Sequence, residues 1–304
     1  MTSLIGNAPV DGVDVAALLG IPISAEQERA VQAPLKPCAV IAGAGTGKTT
    51  VMAARVVWLV ASRLVSPEEI LGLTFTNKAT AELSERIESN LTRVGLLTSE
   101  QPRPTVATYD SFAGTLVNDY GAWDGISTGA HLITGARAYQ LAAEVVMGLD
   151  KAPLAATHMG PTFIAQAVVK LAGAMASHDA SPGKVRRADA RWRQMLLAAP
   201  TKRRGDRYAD IDKWLSRVDE REELLDLVAA YQNLKKERGL VEFGDRMVQA
   251  LHLVTHHPRV GEELRARYRV VLLDEYQDTS SAQADVLAAL FSGPDSAHGM
   301  GHPV

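Results

Sequence analysis

Residues 42–50 read AGAGTGKTT, a glycine-rich run that ends in a lysine and two threonines. This run matches the phosphate-binding pattern G-x-x-x-x-G-K-[ST] except at Ala42, which stands where the first glycine would be. Glycines let the backbone approach phosphate groups closely, and the helix that follows points its N-terminal N–H groups at the anion. Lys48 is therefore predicted to reach the β- and γ-phosphates of a nucleoside triphosphate. The Thr49 hydroxyl is predicted to bind Mg²⁺.

The sequence on both sides of this run has the strand–loop–helix pattern that a phosphate-binding loop requires. Residues 38–42 are apolar and predict a buried strand, and residues 48 to about 62 follow a helical pattern. A glycine-rich turn without a ligand is the alternative, but it does not account for the consecutive Gly-Lys-Thr. The expected cofactors are ATP and Mg²⁺. The residues expected to bind the nucleotide are Ala42, Gly43, Ala44, Gly45, Thr46, Gly47, Lys48, Thr49 and Thr50.

Two carboxylates stand at the end of another apolar run. Residues 270–273 read VVLL and predict a buried strand, and Asp274 and Glu275 follow directly. In phosphate-loop enzymes an acid at this place holds the Mg²⁺, the role expected for Asp274. Glu275 then suits the role of a general base that polarises the attacking water. The alternative is that two acids simply begin the next helix, and the phosphate-binding loop makes that alternative the weaker one.

The elements that must position these residues alternate between strand and helix. Residues 70–75 and 105–108 predict two further strands, each followed by a helical pattern. This alternation predicts an α/β fold with a doubly wound parallel sheet, in which ligands gather at the carboxyl ends of the strands. The phosphate-binding loop, residues 76–78 and residues 108–112 are therefore expected along one edge. Asn77 is the predicted cap of a helix that runs to about residue 94.

A helix start is also predicted ahead of the loop. Ser24 is a favourable cap and Gln27 follows three residues later, which is a capping-box pattern. Taken alone, capping explains Gln27 as well as a ligand-binding role does. Residues 1 to about 20 are expected to form a loose leader with a short apolar patch at 13–19.

Bulk properties describe an ordinary globular chain of 304 residues, long enough for about two domains. The net charge of −3 gives no global argument for nucleic-acid binding, so such binding must use local charge. The single cysteine, Cys38, excludes an internal disulfide and a cysteine zinc site, fits a reducing cytoplasm, and is expected to be a core thiol. No apolar run predicts a membrane span, and the N-terminus lacks the basic region of a secretory signal.

Between residues 121 and 238 the strand–helix alternation stops, and the pattern predicts several helices. Nine Lys or Arg residues lie between positions 184 and 207, against two aspartates. A solvated helical face is the default interpretation of such a run, and a nucleic-acid contact is the alternative.

Three stretches together resemble the UvrD/Rep/PcrA family of superfamily 1 DNA helicases. These are residues 43–50, the LTFTNKA of residues 73–79 and the DEYQD of residues 274–278. The resemblance implies a RecA-like domain 1A with an inserted helical subdomain 1B. The implied organisation is a leader at 1–20, the first part of 1A at 21–120, subdomain 1B at 121–238, and the second part of 1A at 239–304.

The resemblance also implies roles for single residues. Gln27 falls on the motif that reads the adenine base, and Gln277 is expected to couple the nucleotide state to DNA and to join Lys48 and Glu275 in catalysis. Asp110 stands where the family often has histidine, so no DNA contact is assigned to it. Glu242 replaces the first acid of a short family element at 241–245. The residues expected to contact single-stranded DNA are Thr76, Asn77, Lys78, Thr108, Ser111 and Phe112.

The activity implied is ATP-driven 3′-to-5′ translocation on single-stranded DNA and unwinding at duplex junctions, in repair or replication. The chain ends about where the family's next motif should begin, so we expect a fragment that binds Mg-ATP weakly and does not unwind DNA. One alternative is a nucleotide switch for a protein partner. The other is a DNA-binding remnant that uses Arg203 and Arg204 without turnover. The sequence identifies no helicase or nuclease partner subunit.

Overall fold

The computed structural model describes residues 12–43, 45–127, 129–149, 160–202 and 206–292. They form two compact units. The first comprises the described parts of Met1–Tyr120, Ala250–Thr279 and Gln283–Val304, and the second comprises those of Gly121–Gln249 and Ser280–Ala282.

Helices predominate in the described chain. The strands are β1 (Ile70–Thr74), β2 (Thr105–Thr108), β3 (His131–Leu132), β4 (Leu240–Val241) and β5 (Val270–Leu273). The α-helices are α1 (Val15–Leu19), α2 (Ala25–Val31), α3 (Lys48–Ala61), α4 (Asn77–Arg93), α5 (Tyr109–Tyr120), α6 (Gly135–Met147), α7 (Pro161–Ser177), α8 (Pro182–Leu197), α9 (Ala209–Glu237), α10 (Phe243–His256), α11 (Pro258–Arg267) and α12 (Ser281–Leu287). No described helix is long and apolar enough to cross a membrane.

The first unit is built on a parallel three-stranded sheet with the order β2-β1-β5. Leu71 in the central strand lies opposite Thr105 on one side and Val271 on the other. Every residue of β1 is buried, because a central parallel strand is covered on both faces. The predicted α/β class is confirmed, and the predicted strands at 70–75, 105–108 and 270–273 are found within one residue.

Two helices cover this sheet through apolar faces at helical spacing. On α4, Leu83, Ile87 and Leu91 recur every four residues and are buried. On α3 most of the residues from Ala53 to Val60 are buried, so this helix lies deep in the core. The cap of α4 is Thr76 rather than the predicted Asn77, since the Thr76 hydroxyl accepts a hydrogen bond from the Ala79 N–H at 3.1 Å.

The predicted buried strand at residues 38–42 is wrong. This run has no regular structure, and the side chains of Val40 and Ile41 are 51% and 97% exposed. Cys38 is exposed as well, which contradicts the expected core thiol. An apolar run becomes a buried strand only where a neighbour completes its hydrogen-bond ladder. Among the described residues β5 pairs with β1 alone, so no second strand extends the sheet in that direction.

The expected loose leader is wrong for its last part. Asp14 caps α1 by accepting a hydrogen bond from the Ala17 N–H at 3.0 Å, and Gly20 ends the helix with φ 62°. Val15 and Leu19 are each only 1% exposed and belong to the core around α3. Residues 1–11 lie outside the described part of the chain.

The second unit is mainly helical. α6, α7 and α9 pack around a core that includes Leu141, Val168 and Tyr231. The strands β3 and β4 form a parallel pair in which His131 lies opposite Leu240. A two-residue strand leaves no periodic signal in the sequence, so this pair was not predicted. The interpretation of this region as subdomain 1B stays an interpretation.

A buried lysine connects α9 to α10 within the second unit. The Lys235 side chain is 4% exposed, and its Nζ atom lies 2.6 Å from Glu242 Oε2 and 2.6 Å from Asp245 Oδ2. The Tyr231 hydroxyl donates a hydrogen bond to Glu242 Oε2 at 2.8 Å. Burial and this bond raise the pKa of Tyr231 above its usual range. Every charge in this cluster has a partner at short range.

Candidate nucleotide site

The glycine-rich loop of the first unit bends through two left-handed residues. Gly45 has φ 76° and Gly47 has φ 85°, values that residues with a side chain rarely adopt. The Thr46 hydroxyl closes the turn by donating a hydrogen bond to the Gly43 carbonyl oxygen at 2.8 Å. The helix α3 then begins at Lys48. Because the first N–H groups of a helix have no partner within it, this turn presents free donors to a ligand. Ala44 lies outside the described residues.

Gln27 has two roles in this arrangement. It completes the predicted capping box, since Ser24 Oγ accepts from the Gln27 N–H and Gln27 Oε1 accepts from the Ser24 N–H. Its Nε2 atom also donates a hydrogen bond to the Thr46 carbonyl oxygen at 3.0 Å. The capping prediction is confirmed, and the second bond fastens α2 to the loop. The recognition of adenine by Gln27 stays a prediction.

The two predicted acids stand at the carboxyl end of β5. The Asp274 N–H donates to the Leu73 carbonyl oxygen at 2.9 Å, which holds the aspartate in register with β1. Glu275 then takes a left-handed conformation with φ 48°, which turns the chain sharply at this point. Gln277 donates a hydrogen bond from Nε2 to Glu275 Oε2. Residues with a side chain adopt this conformation only uncommonly, and functional sites are among the places where they do so; Arg63 and Asp179 also adopt it here.

The loop and the acids meet through one ion pair. Lys48 Nζ lies 3.7 Å from Glu275 Oε1, and the two side chains are 29% and 39% exposed. These residues are far apart in the chain, and the fold brings the start of α3 next to the end of β5. The arrangement places a cation, a helix N-terminus and two carboxylates around one point on the surface. The predicted roles of the individual residues are not tested by this geometry alone.

Electrostatics at this point favour a divalent cation. Burial raises the pKa of Asp274, and the charge of Glu275 raises it further, while a backbone hydrogen bond and Lys48 lower it. Two adjacent carboxylates repel each other, and a cation between them removes that repulsion. The Thr49 hydroxyl and the Asp274 carboxylate are hard oxygen ligands of the kind that Mg²⁺ prefers. The residues present therefore fit a magnesium–nucleotide complex.

Tyr109 is a site neighbour that the sequence did not reveal. Its hydroxyl donates a hydrogen bond to the Asp274 carbonyl oxygen at 3.4 Å, and its ring centroid lies 4.9 Å from that of Phe75. Burial is the main cause that raises its pKa to about 12. The only signal in the sequence was an aromatic residue directly after a strand, at the edge where ligands gather.

The first group of predicted DNA contacts lies on the surface. Thr76, Asn77 and Lys78 are exposed at the N-terminus of α4. The Thr76 hydroxyl is already engaged as the helix cap, and Lys78 Nζ lies 3.7 Å from Glu82 Oε1. That ion pair is highly exposed and therefore weak, so the lysine is free to exchange its partner. DNA contact by these residues stays a prediction.

The second group is less accessible. Thr108 and Phe112 are only 8% and 6% exposed, whereas Ser111 is exposed. The Thr108 hydroxyl accepts from the Ser111 N–H at 3.0 Å and donates to Ser111 Oγ at 2.8 Å, so it acts as a helix cap. The Phe112 ring belongs to the core and offers no free face to a base. Burial raises the pKa of Asp110, and its hydrogen bond with Gln283 partly offsets that rise.

Four of the seven described Lys and Arg residues of the basic segment at 184–207 form ion pairs with acids. Arg186 pairs with Glu222 and Asp226 on α9, at 2.6 Å each. Further ion pairs join Arg193 to Asp219, Arg207 to Asp212 and Lys184 to Asp179. These pairs favour the default interpretation of a solvated helical face over a nucleic-acid contact. Arg203 and Arg204 lie outside the described residues.

Comparison with known proteins identifies the family of this chain. Residues 23–301 match the family model described as the UvrD/REP helicase N-terminal domain. The chain is 26% identical over 272 residues to the DNA helicase II of Rickettsia typhi, an alignment that covers 88% of this chain and 36% of the relative. It is 27% identical over 266 residues to the ATP-dependent DNA helicase UvrD1 of Mycobacterium leprae, covering 86% of this chain and 29% of the relative.

A third relative is the DNA helicase II of Haemophilus influenzae, 28% identical over 272 residues that cover 89% of this chain and 32% of the relative. The chain thus spans about a third of the length of the curated relatives that it matches. The family model covers well over half of the chain and includes both the glycine-rich loop and the acids after β5. The chain therefore belongs to the UvrD/REP helicase N-terminal domain family.

Proposed function

We propose that this chain is the ATP-binding portion of an ATP-dependent helicase that moves 3′-to-5′ along single-stranded DNA. The observation that carries the proposal is the approach of Lys48 Nζ to Glu275 Oε1 at 3.7 Å. It joins the glycine-rich loop to the acids after β5, the two halves of a triphosphate-hydrolysing site. The family membership and the names of the relatives support DNA as the polymer on which the protein acts.

The binding roles follow from the position of each group. The free N–H groups at the start of α3 and the Lys48 ammonium group receive the β- and γ-phosphates. Thr49 and Asp274 hold Mg²⁺, which when bound neutralises the phosphate charge. Gln27, fixed by its bond to Thr46, lies beside the loop where it can read the edge of the adenine ring.

Glu275 is the group proposed to activate water. Its carboxylate accepts a proton as the water oxygen forms a bond to the γ-phosphorus, while the bond from that phosphorus to the β-phosphate oxygen breaks. ADP leaves and inorganic phosphate is released. Gln277 holds the Glu275 carboxylate through its hydrogen bond and orients it for this transfer. Without nucleotide, Lys48 forms an ion pair with the Glu275 carboxylate. When nucleotide binds, a phosphate group replaces Glu275 as the partner of Lys48.

The DNA side of the proposal uses residues that follow the carboxyl ends of β1 and β2, the same edge of the sheet as the acids after β5. Thr76, Asn77 and Lys78 at the start of α4 are proposed to contact the strand, and Ser111 is the exposed candidate after β2. Duplex junctions in repair or replication, a cytoplasmic location and the 3′-to-5′ polarity are part of the same proposal. Because these 304 residues span about a third of the length of the relatives, we expect them alone to bind Mg-ATP weakly, to hydrolyse it slowly and not to unwind DNA.

Calorimetry with Mg-ATP on the 304-residue chain tests the proposal, with Lys48→Ala as the comparison. We expect binding that the substitution weakens by about a hundredfold, as the loss of charged hydrogen bonds to phosphate predicts. Phosphate release is then measured with and without oligo-dT. Equal binding by both proteins would contradict the proposed site. Release strongly stimulated by oligo-dT would contradict the expectation that the chain alone is slow.

A further inference from the structure

A second cation reaches the nucleotide loop from α4. Arg86 lies on the exposed side of this helix, and its Nη1 atom donates a hydrogen bond to Thr50 Oγ1 at 2.8 Å. The two residues are 36 positions apart in the chain. Thr50 is the third residue of α3 and follows the proposed magnesium ligand Thr49 directly. The sequence motifs assign no role to Arg86.

Arg86 adds a further cation to a point that already carries positive charge. The N-terminus of a helix carries a partial positive charge, and Lys48 already adds a full one. Lys48 is compensated by Glu275 at 3.7 Å. Within the described ranges no carboxylate forms an ion pair with Arg86 or with Arg93 on the same helix, whereas Lys78 pairs with Glu82 and Arg103 pairs with Glu88. Unlike Arg93, Arg86 contacts the first turn of α3, so an anion bound at this helix N-terminus would also be attracted to the Arg86 guanidinium.

The hydrogen-bonding capacity of Arg86 matches a phosphate group. A guanidinium has five N–H donors in a rigid fork, and the bond to Thr50 uses one of them. The Thr50 N–H belongs to the first turn of α3 and has no helical partner. A phosphate oxygen that accepts from this N–H lies close to the Thr50 side chain and hence within reach of the remaining donors of Arg86.

We propose that Arg86 is a phosphate-binding residue of the nucleotide site. Its guanidinium donates hydrogen bonds to a phosphate group of the bound nucleotide, and Thr50 orients the guanidinium. This inference rests on the nucleotide-binding part of the proposed function and adds a residue that the loop pattern does not contain. Nucleotide binding thereby fixes α4, the helix whose N-terminus carries the proposed DNA contacts, to the start of α3.

Calorimetric titration with Mg-ATP tests the inference on the full 304-residue chain. Arg86→Ala is expected to weaken binding by at least about tenfold, because a charge-assisted bond to phosphate is lost. Arg86→Lys keeps the charge but loses the fork, so we expect a smaller loss. The matched control is Arg93→Ala, since Arg93 is also exposed on α4 and donates to the Asn90 side chain at 3.1 Å. It should bind like the original chain.

Thr50→Val distinguishes phosphate binding by Arg86 from a purely structural role. This substitution removes the hydroxyl that accepts the Arg86 hydrogen bond but leaves the backbone N–H of residue 50. If Arg86 contacts phosphate, Arg86→Ala still weakens binding in the Thr50→Val background and reduces the dependence of affinity on salt. If Arg86 only donates its hydrogen bond to Thr50, Arg86→Ala does not weaken binding further in the Thr50→Val background, and the inference fails. Thermal unfolding verifies that each variant is folded. If Arg86→Ala does not fold, Arg86→Lys replaces it in the comparison.

Lys48→Ala distinguishes this failure from failure of the proposed function. Weaker binding in Lys48→Ala together with unchanged binding in Arg86→Ala would overturn the role of Arg86 alone. Unchanged binding in Lys48→Ala would overturn the nucleotide site itself, and the inference with it.

Discussion

The two units contain two lysines that interact with acids in opposite ways. Lys48 in the first unit is 29% exposed and lies 3.7 Å from a single carboxylate, Glu275. Lys235 in the second unit is 4% exposed and lies 2.6 Å from two carboxylates. The first pair is long and partly exposed, so it is easily exchanged, while the second consists of two short contacts to a buried ammonium group. A lysine that must release its partner to a ligand is held loosely, and one that fixes two helices is held on all sides.

The same substitution at the two lysines gives the largest expected contrast. Lys235→Met leaves two partly exposed carboxylates without their cation, so we expect the free energy of unfolding to fall by about 1.5–3 kcal/mol, the usual cost of losing hydrogen bonds to charged groups. Lys48→Met breaks a partly exposed pair and should change that free energy by less than about 0.5 kcal/mol. Urea denaturation of both variants measures the difference. Equal losses at the two positions would show that the contrast between the units is false.

The raised pKa of Asp274 gives a further test of the nucleotide site in the first unit. Burial and the charge of Glu275 raise its pKa, so a proton competes with Mg²⁺ at a higher pH than at an ordinary aspartate. As the pH falls towards this raised pKa, we expect the affinity for Mg²⁺ in the presence of ATP to fall. Asp274→Asn should remove this dependence together with most of the affinity. Titration with Mg²⁺ at several pH values measures it, and an affinity that is constant down to the ordinary carboxyl range would contradict it.

The raised pKa of Asp274 also predicts how the stability of the folded protein depends on pH. A carboxyl group whose pKa is raised in the folded protein prefers the protonated form there, so its ionisation costs stability. Without Mg²⁺, its contribution to stability is therefore full below the pKa of the unfolded chain and is lost as the pH rises through the raised value. Addition of Mg²⁺ and ATP above that pH should restore the loss. Thermal unfolding with and without the two ligands measures this effect.

The smallest effect is expected at Tyr109. Tyr109→Phe keeps the ring contact with Phe75 at 4.9 Å and removes a long hydrogen bond to the Asp274 carbonyl oxygen. We expect a loss of about 0.5–1 kcal/mol in unfolding free energy, the usual net value of one such bond. Tyr109→Ala serves as the comparison, since it also removes the ring and should cost several times more. A Phe variant as unstable as the Ala variant would assign the role to the hydroxyl.

The sequence was sufficient where a pattern is local. Continuous apolar runs revealed β1 and β5 because buried parallel strands need no polar face. The spacing of Ser24 and Gln27 revealed a capping box because both partners lie within one turn. The glycine-rich loop and the acids after β5 could be paired in advance because phosphate-loop enzymes hold Mg²⁺ with an acid that directly follows a buried strand.

The sequence was insufficient where the structure of a segment depends on contacts that no local pattern reveals. Residues 38–42 have the composition of a buried strand, but no described strand completes a ladder with them. Thr76 and Asn77 are both good caps, and only the backbone conformation selects the first. The partners of Tyr109 and Arg86 lie 165 and 36 residues away, beyond any local pattern.

The central claim is that Lys48 exchanges Glu275 for phosphate, and Glu275→Gln tests it most directly. The substitution removes the carboxylate that holds Lys48 and that repels the nucleotide, while the amide keeps nearly the same shape. Calorimetry with Mg-ATP should show binding that is at least as tight as in the original chain, in contrast to the large loss in Lys48→Ala. Phosphate release should fall at the same time, because the general base is gone. Binding weakened as strongly as in Lys48→Ala would contradict the account.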